Sequence, residues 1–155
     1  MIKLNLGCGT RIIKGFHNID KYVDHPDIKK YDISNLPYKD ASVDYVVASH
    51  VIEHIGRLKW QTAVKEWVRV LKKGGRMQIK FPEIDKLCKA ILNCPSESRW
   101  ERLNMILYGG QGHSGQYHYS GFKREYFFKT MKKMGMKLIG ETPENFSIVA
   151  TFTKI

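Results

Sequence analysis

Hydrophobic and polar positions along this chain follow two rhythms. Short apolar runs at residues 2–6, 16–20, 29–32, 43–49 and 76–81 are bounded by glycine, proline or polar residues and predict buried strands. Elsewhere the period lengthens. Trp60, Ala63, Val64, Trp67, Val68 and Leu71 recur at helical spacing and predict an amphipathic helix over 59–72. Lys72-Lys73-Gly74-Gly75 then supplies the cations and glycine that helix C-termini favour. Ile84, Leu87, Cys88, Ile91 and Leu92 predict a second helix. Trp100, Leu103 and Leu107 predict a third, with Ser98 and Glu101 as a capping box. Phe127, Met131 and Met134 predict a fourth over 123–134. Trp60, Trp67 and Trp100 are read as core. Residues 136–140 and 147–153 predict two last strands, joined through Thr142-Pro143-Glu144-Asn145.

Strands that alternate with helices imply a parallel sheet covered by helices. The short link between the final two strands implies that one of them runs antiparallel. No linker or repeat divides the chain, and 155 residues suit one domain spanning 1–155. In open sheets of this class ligands gather outside the carboxyl ends of the strands. Gly7 to Gly9, Asp20, Asp32, residues 49–54 and residues 82–85 all fall there.

Those positions carry a coherent chemistry. Glycine at 7 and 9 lets backbone approach a ligand without a β-carbon between them. Asp20 ends the next strand, where a carboxylate can hold two ribose hydroxyls. A dinucleotide site would want a third glycine three residues after Gly9, but position 12 is Ile. A nucleoside cofactor without pyrophosphate meets that description. Gly9 and Asp20 are so close in sequence that, after the second strand, too few residues remain for a crossover helix, so an irregular crossover is expected.

Five ordered segments resemble the class I S-adenosylmethionine-dependent methyltransferases. They are Leu4-Asn5-Leu6-Gly7-Cys8-Gly9, Asn18-Ile19-Asp20, Asp32-Ile33-Ser34-Asn35-Leu36-Pro37-Tyr38, the stretch 42–54 and the stretch 68–76. The resemblance implies a doubly wound, mostly parallel seven-stranded Rossmann-like methyltransferase sheet with an antiparallel last strand, built as a three-layer α/β sandwich. It implies S-adenosylmethionine as cofactor. The turn Leu6, Gly7, Cys8 and Gly9 would meet its methionine part and ribose, Asp20 the ribose diol, and Asp32 with Ile33 the adenine. Ser49 and His50 would line the reacting end. The short first crossover and the pattern Gly-Gly-Gln…His-x-Ser-Gly-Phe at 109–122 are similar to a small subset of bacterial and phage-like methyltransferases thought to act near saccharide metabolism.

If the acceptor is a hydroxyl, a base must remove its proton. His50 directly follows the strand end and is the first candidate, with His113 and His118 from the glycine-rich loop 108–122 as further catalytic candidates. His54 is also a candidate base, but it and Glu53, about a turn after His50, are read as packing or loop-anchoring residues. Glu83 and Asp85 follow the fifth strand and are candidates for substrate contact. His113 and His118 find no third residue at metal-ligand spacing, so no metal is expected. The acceptor is read as a small or saccharide-like molecule.

Charge adds an alternative. The net charge of +11 is concentrated in residues 57–80, with eight basic and one acidic residue, and in 123–137, with six and one. A continuous positive surface is expected from Lys65, Arg69, Lys72, Lys129, Lys132 and Lys133, which raises nucleic acid as an alternative acceptor. No base-flipping Asn-Pro-Pro-Tyr motif is present. A third reading is a non-catalytic binding module on the same fold. Three cysteines without finger spacing, no signal-like apolar opening and no apolar run of about 20 residues point to a reduced, cytoplasmic protein without membrane contact.

Overall fold

The computed structural model describes residues 1–155. Its strands are β1 (Lys3–Leu6), β2 (His17–Ile19), β3 (Ile28–Lys29), β4 (Val43–Ser49), β5 (Leu71–Pro82), β6 (Met136–Glu144) and β7 (Ser147–Lys154). Its helices are α1 (Trp60–Val70), α2 (Ile84–Leu92), α3 (Glu97–Tyr108) and α4 (Arg124–Lys133), with 3-10 turns at Ile52–His54 and Ser114–Gln116. All seven strands form one sheet in the order β3-β2-β1-β4-β5-β7-β6. β7 runs antiparallel to both β5 and β6, while the pairs from β3 to β5 are parallel. This is the doubly wound methyltransferase sheet that the alternation and the resemblance predicted.

The two faces of the sheet differ. Leu4, Leu6, Val46, Ala48, Met77, Ile79 and Phe152 point to one side and are essentially sealed by Val64 and Trp67 of α1 and Phe127 and Met131 of α4. Their alternating neighbours Tyr45, Val47, Gln78 and Thr151 point the other way and are only half-buried. Chain direction explains the difference. Right-handed crossovers from β1 to β2 and from β4 to β5 run opposite ways across the sheet and must cover opposite faces. The second carries α1, but residues 10–16 hold only turns, so that side of the three-layer plan is reduced to a looped crossover.

Side-chain amides replace the missing helix. Asn5 donates to the Arg11 carbonyl at 2.8 Å and to Asn18 Oδ1 at 2.9 Å. Asn18 Oδ1 also accepts from the Ile13 amide at 2.9 Å, and its Nδ2 donates back to the Ile13 carbonyl at 3.3 Å. Both asparagines are buried. Buried polar groups that are fully paired can fix a loop as firmly as a helix would.

Some expected boundaries move. β5 starts at Leu71, directly after α1, because Leu71 pairs with Val43. The next pairing is Tyr45 with Arg76, so Lys72 to Gly75 bulge out of the strand, with Gly74 at φ +76°. The cap of α3 is Ser96 rather than Ser98, its hydroxyl accepting from the Arg99 amide. Trp60 and Trp67 are core, but Trp100 is 41% exposed, because α3 buries only Leu103. β6 and β7 extend further than expected and leave Asn145-Phe146 as the hairpin tip. Pro143 is tolerated because β6 is the edge strand.

Candidate active site

β1 ends in a backbone that only glycine accommodates well. Gly7 and Gly9 have φ of +57° and +53°. A β-carbon on Gly7 would lie 2.8 Å from Val51 Cγ2, whereas one on Gly9 would meet nothing within 4 Å. The Gly9 side is therefore open, and it opens into a hollow of about 520 Å³. That volume is within the ordinary range for small-ligand sites. Gly7, Gly9, Asp20, Asp32, Ile33, His50 and His113 all line it.

Asp20 has a duty that the sequence did not show. Its Oδ2 accepts from the Gly9 amide at 2.9 Å, and its Oδ1 accepts from the Tyr22 and Val23 amides at 2.8 and 3.2 Å. The carboxylate thus ties the glycine turn to the end of β2 while still bordering the hollow. Its negative charge and burial together push the Cys8 thiol up to about 11, burial being the larger cause. Cys8 therefore stays protonated at neutral pH, its Sγ–H donating to the Gly9 carbonyl at 3.3 Å.

Leu6, Cys8 and Ser49, expected at the cofactor, do not line the hollow. The Leu6 side chain is turned into the core and Cys8 is buried beneath the turn. Ser49 pairs with Lys80 inside the sheet.

Asp32 and Ile33 sit on a loop that α1 holds in place. The Trp67 indole donates to the Ile33 carbonyl at 2.8 Å. Glu66 accepts from the Leu36 amide at 2.7 Å, and Arg69 donates to the Leu36 and Tyr38 carbonyls. Asp32 accepts from the Ser34 amide at 2.8 Å. That bond is the main reason its carboxyl lies below the usual range; burial opposes it, and Lys21 at 3.7 Å assists.

His50 stands where β4 stops. Its φ of +56° is unusual for a residue with a β-carbon and is a strain often found at functional sites. Its Nδ1 lies 2.9 Å from Oε1 of Glu53, a carboxylate that is 1% exposed. His50 and His54 line both the first hollow and a second of about 500 Å³ that also takes in Lys80, Arg102, His118 and Glu144.

The glycine-rich loop divides the two hollows. Gly115 packs against the Tyr22 ring, where a β-carbon would lie 2.7 Å from Cδ2, and the His113 and Tyr22 rings are 5.7 Å apart. Gln116 borders both hollows. The loop is pinned from below: the Tyr119 amide donates to the Glu53 carbonyl at 2.8 Å, and Ser120 Oγ donates to the Ile55 carbonyl at 2.8 Å. His118 borders only the second hollow of the pair, and burial pushes its pKa down.

Glu83 and Asp85 line neither hollow. Glu83 is buried and paired with Lys86, and Asp85 faces Lys123 at 3.8 Å. Tyr22, Tyr31, Lys59 and Gln116 do line the first hollow, and no local pattern singled them out. The expected positive surface is also broken. Arg69 is held by Glu66 and Asp40, and Lys72 by Asp44 at 2.7 Å, while Lys65, Lys129, Lys132 and Lys133 have no carboxylate within ion-pair distance.

Residues 8–79, a little under half the chain, match the family model described as "Methyltransferase domain". No curated protein matches the chain by sequence. Among solved structures, a SAM-dependent methyltransferase from Methanosarcina mazei is similar with TM-score 0.71 and 16% identity, covering 99% of this chain and 92% of that one. A SAM-dependent methyltransferase from Thermotoga maritima gives 0.66 and 17%, over 99% and 82%. The 1,6-didemethyltoxoflavin-N1-methyltransferase of Burkholderia thailandensis, solved with 1,6-didemethyltoxoflavin and S-adenosylhomocysteine, gives 0.65 and 14%, over 99% and 70%.

Proposed function

Because the chain is a class I S-adenosylmethionine-dependent methyltransferase in fold and in the sequence of residues 8–79, with S-adenosylmethionine as its cofactor, we propose that it methylates a small or saccharide-like acceptor held in the second hollow. The observation that carries this reading is the shared wall: His50 and His54 border both the hollow under the glycine turn and its neighbour. A cofactor in the first would place its reacting end next to an acceptor in the second.

The residues of the first hollow fit the cofactor. Gly9 leaves backbone uncovered, Asp20 and Asp32 offer carboxylates on the ribose and adenine sides, and Ile33 offers an apolar edge. The bound cofactor supplies an electrophilic methyl carbon activated by its sulfonium. The protein's part is chiefly alignment, which contributes up to about 7–11 kcal/mol in well-oriented reactions. With Nδ1–H donated to Glu53, His50 keeps its Nε2 lone pair to take the proton of an acceptor hydroxyl. The buried Glu53 carboxylate orients that ring and favours the imidazolium once formed. His113 would close the cofactor side and His118 the acceptor side.

Nucleic-acid methylation is the lesser reading, since Arg69 and Lys72 are neutralised within the fold. Four unpaired lysines remain to favour it. All seven strands share one sheet, which supports one domain over 1–155. Three free cysteines support a cytoplasmic setting. No helix is long and apolar enough to cross a membrane.

Calorimetry with S-adenosylhomocysteine tests the proposal. The wild-type chain should bind it, and Asp32→Ala should weaken binding at least tenfold. No heat at millimolar ligand would turn the reading to a non-catalytic module.

A further inference from the structure

Glu53, His54 and His118 come together between the turn after β4 and the glycine-rich loop, although the loop lies far along the chain. Their potential ligand atoms lie within 4.8 Å of one another. The geometry of each side chain says which atom is available. His54 Nδ1 is 3.0 Å from the Tyr117 carbonyl, and His118 Nδ1 is 2.9 Å from the Ile106 carbonyl. A carbonyl only accepts, so both Nδ1 atoms carry the proton and both Nε2 atoms keep a lone pair. This is the arrangement in which histidines ligate metals, with the other ring nitrogen anchored on backbone. The two rings lie 4.6 Å apart, inclined at 73°.

Glu53 supplies the independent observation. It is 1% exposed. Its Oε1 is engaged by His50, but its Oε2 is buried without any hydrogen-bond partner. A buried carboxylate oxygen left in this way is costly unless a cation or donor meets it. None of the lone pairs on the two histidines can serve as that donor.

We propose that Glu53, His54 and His118 bind one divalent transition-metal ion of the zinc class. Two imidazoles and a carboxylate suit such an ion, whereas calcium and magnesium prefer oxygen alone. Bonds of about 2.0–2.2 Å span donors up to about 4.4 Å apart, so a small side-chain movement closes the site. Three protein ligands leave a coordination position open, and His54 and His118 both border the second hollow. An oxygen ligand from that hollow would complete the sphere. The inference departs from the expectation that no metal binds: His113 is not in the cluster, and spacing along the chain hid the two partners, Glu53 and His54, that folding brings to His118. It rests on these side chains and not on the methyl-transfer reading.

The test uses the full chain, stripped with chelator and titrated with Zn²⁺ against a chromophoric competitor, and separately with Co²⁺. One equivalent should bind. The Co²⁺ form should show visible d–d bands without the thiolate charge-transfer band that Cys8, Cys88 or Cys94 would produce. Glu53→Gln and His118→Gln should each lower affinity at least tenfold, while His25→Gln, an exposed surface histidine, should leave it unchanged. Circular dichroism checks that each variant is folded; should one fail, the other carries the comparison. No stoichiometric binding, a thiolate band, or wild-type affinity in a folded ligand variant overturns the proposal. S-adenosylhomocysteine calorimetry on the same preparation keeps the two readings separate, since cofactor heat without zinc binding refutes only the metal site.

Discussion

Replacing Gly7 and Gly9 by alanine in turn should separate folding from cofactor binding within one three-residue turn. Both residues are left-handed, at φ +57° and +53°, so alanine strains either by about 1–2 kcal/mol. Gly7→Ala carries a second cost. Its new methyl would lie 2.8 and 2.9 Å from the two γ-carbons of Val51, which is 4% exposed and packed in the core. Overpacking of that kind costs about 1–3 kcal/mol, for a total of about 2–5 kcal/mol. Gly9→Ala meets nothing within 4 Å and stops at the strain cost, but its methyl projects into the hollow. Gly7→Ala should therefore lose mainly stability, and Gly9→Ala mainly S-adenosylhomocysteine affinity. Urea unfolding measures the first and calorimetry the second. Adding Val51→Ala to Gly7→Ala should recover about 1–3 kcal/mol as a favourable coupling energy, because the overlapping methyls are gone. The reasoning is refuted if Gly7→Ala is no more destabilising than Gly9→Ala, or if the double-mutant cycle shows no coupling.

Three further substitutions probe the elements that hold the site. Asn18→Ala strips the Ile13 amide and one Asn5 amide hydrogen of their buried acceptor, at about 1–3 kcal/mol each; urea unfolding should show it, and hydrogen exchange at Ile13 should accelerate. His50→Gln can still donate to Glu53 but cannot act as a base. Turnover with a hydroxyl acceptor should fall about 10²–10⁴-fold, with S-adenosylhomocysteine affinity changed only a few-fold. Glu66 is held below its ordinary 4.5 chiefly by the Arg69 hydrogen bond, with burial opposing and the Leu36 amide assisting. Its folded pKa is depressed, so its contribution is complete above about pH 4.5 and is lost as pH falls through the lowered value. Glu66→Gln should flatten that part of the acid limb in pH-dependent unfolding. An acid limb identical to wild type would show that the Arg69 clamp does not stabilise the loop.

What the sequence by itself determined is what short-range physics controls. The apolar run of β4, the helical period of α1 and the glycine turn after β1 are each specified by residues within a few positions of one another. So was the absence of a helix between Gly9 and Asp20, because too few residues are there to make one. The mostly parallel, seven-stranded character of the sheet followed from alternation together with the resemblance, while the strand order came from the fold. Tertiary structure alone decided which side chains answer one another. Arg69 and Lys72 looked like free surface charge, and only the fold brings Asp40 and Asp44 to them. Asn5 and Asn18 carry no periodic signal, yet their amides take the place of a crossover helix. Glu53 and His54 read as packing residues until the loop returned His118 to their side. Hydrophobic periodicity reports which face of an element is buried. It does not report partners, since a hydrogen bond or ion pair depends on positions in space that distant parts of the chain reach only after folding.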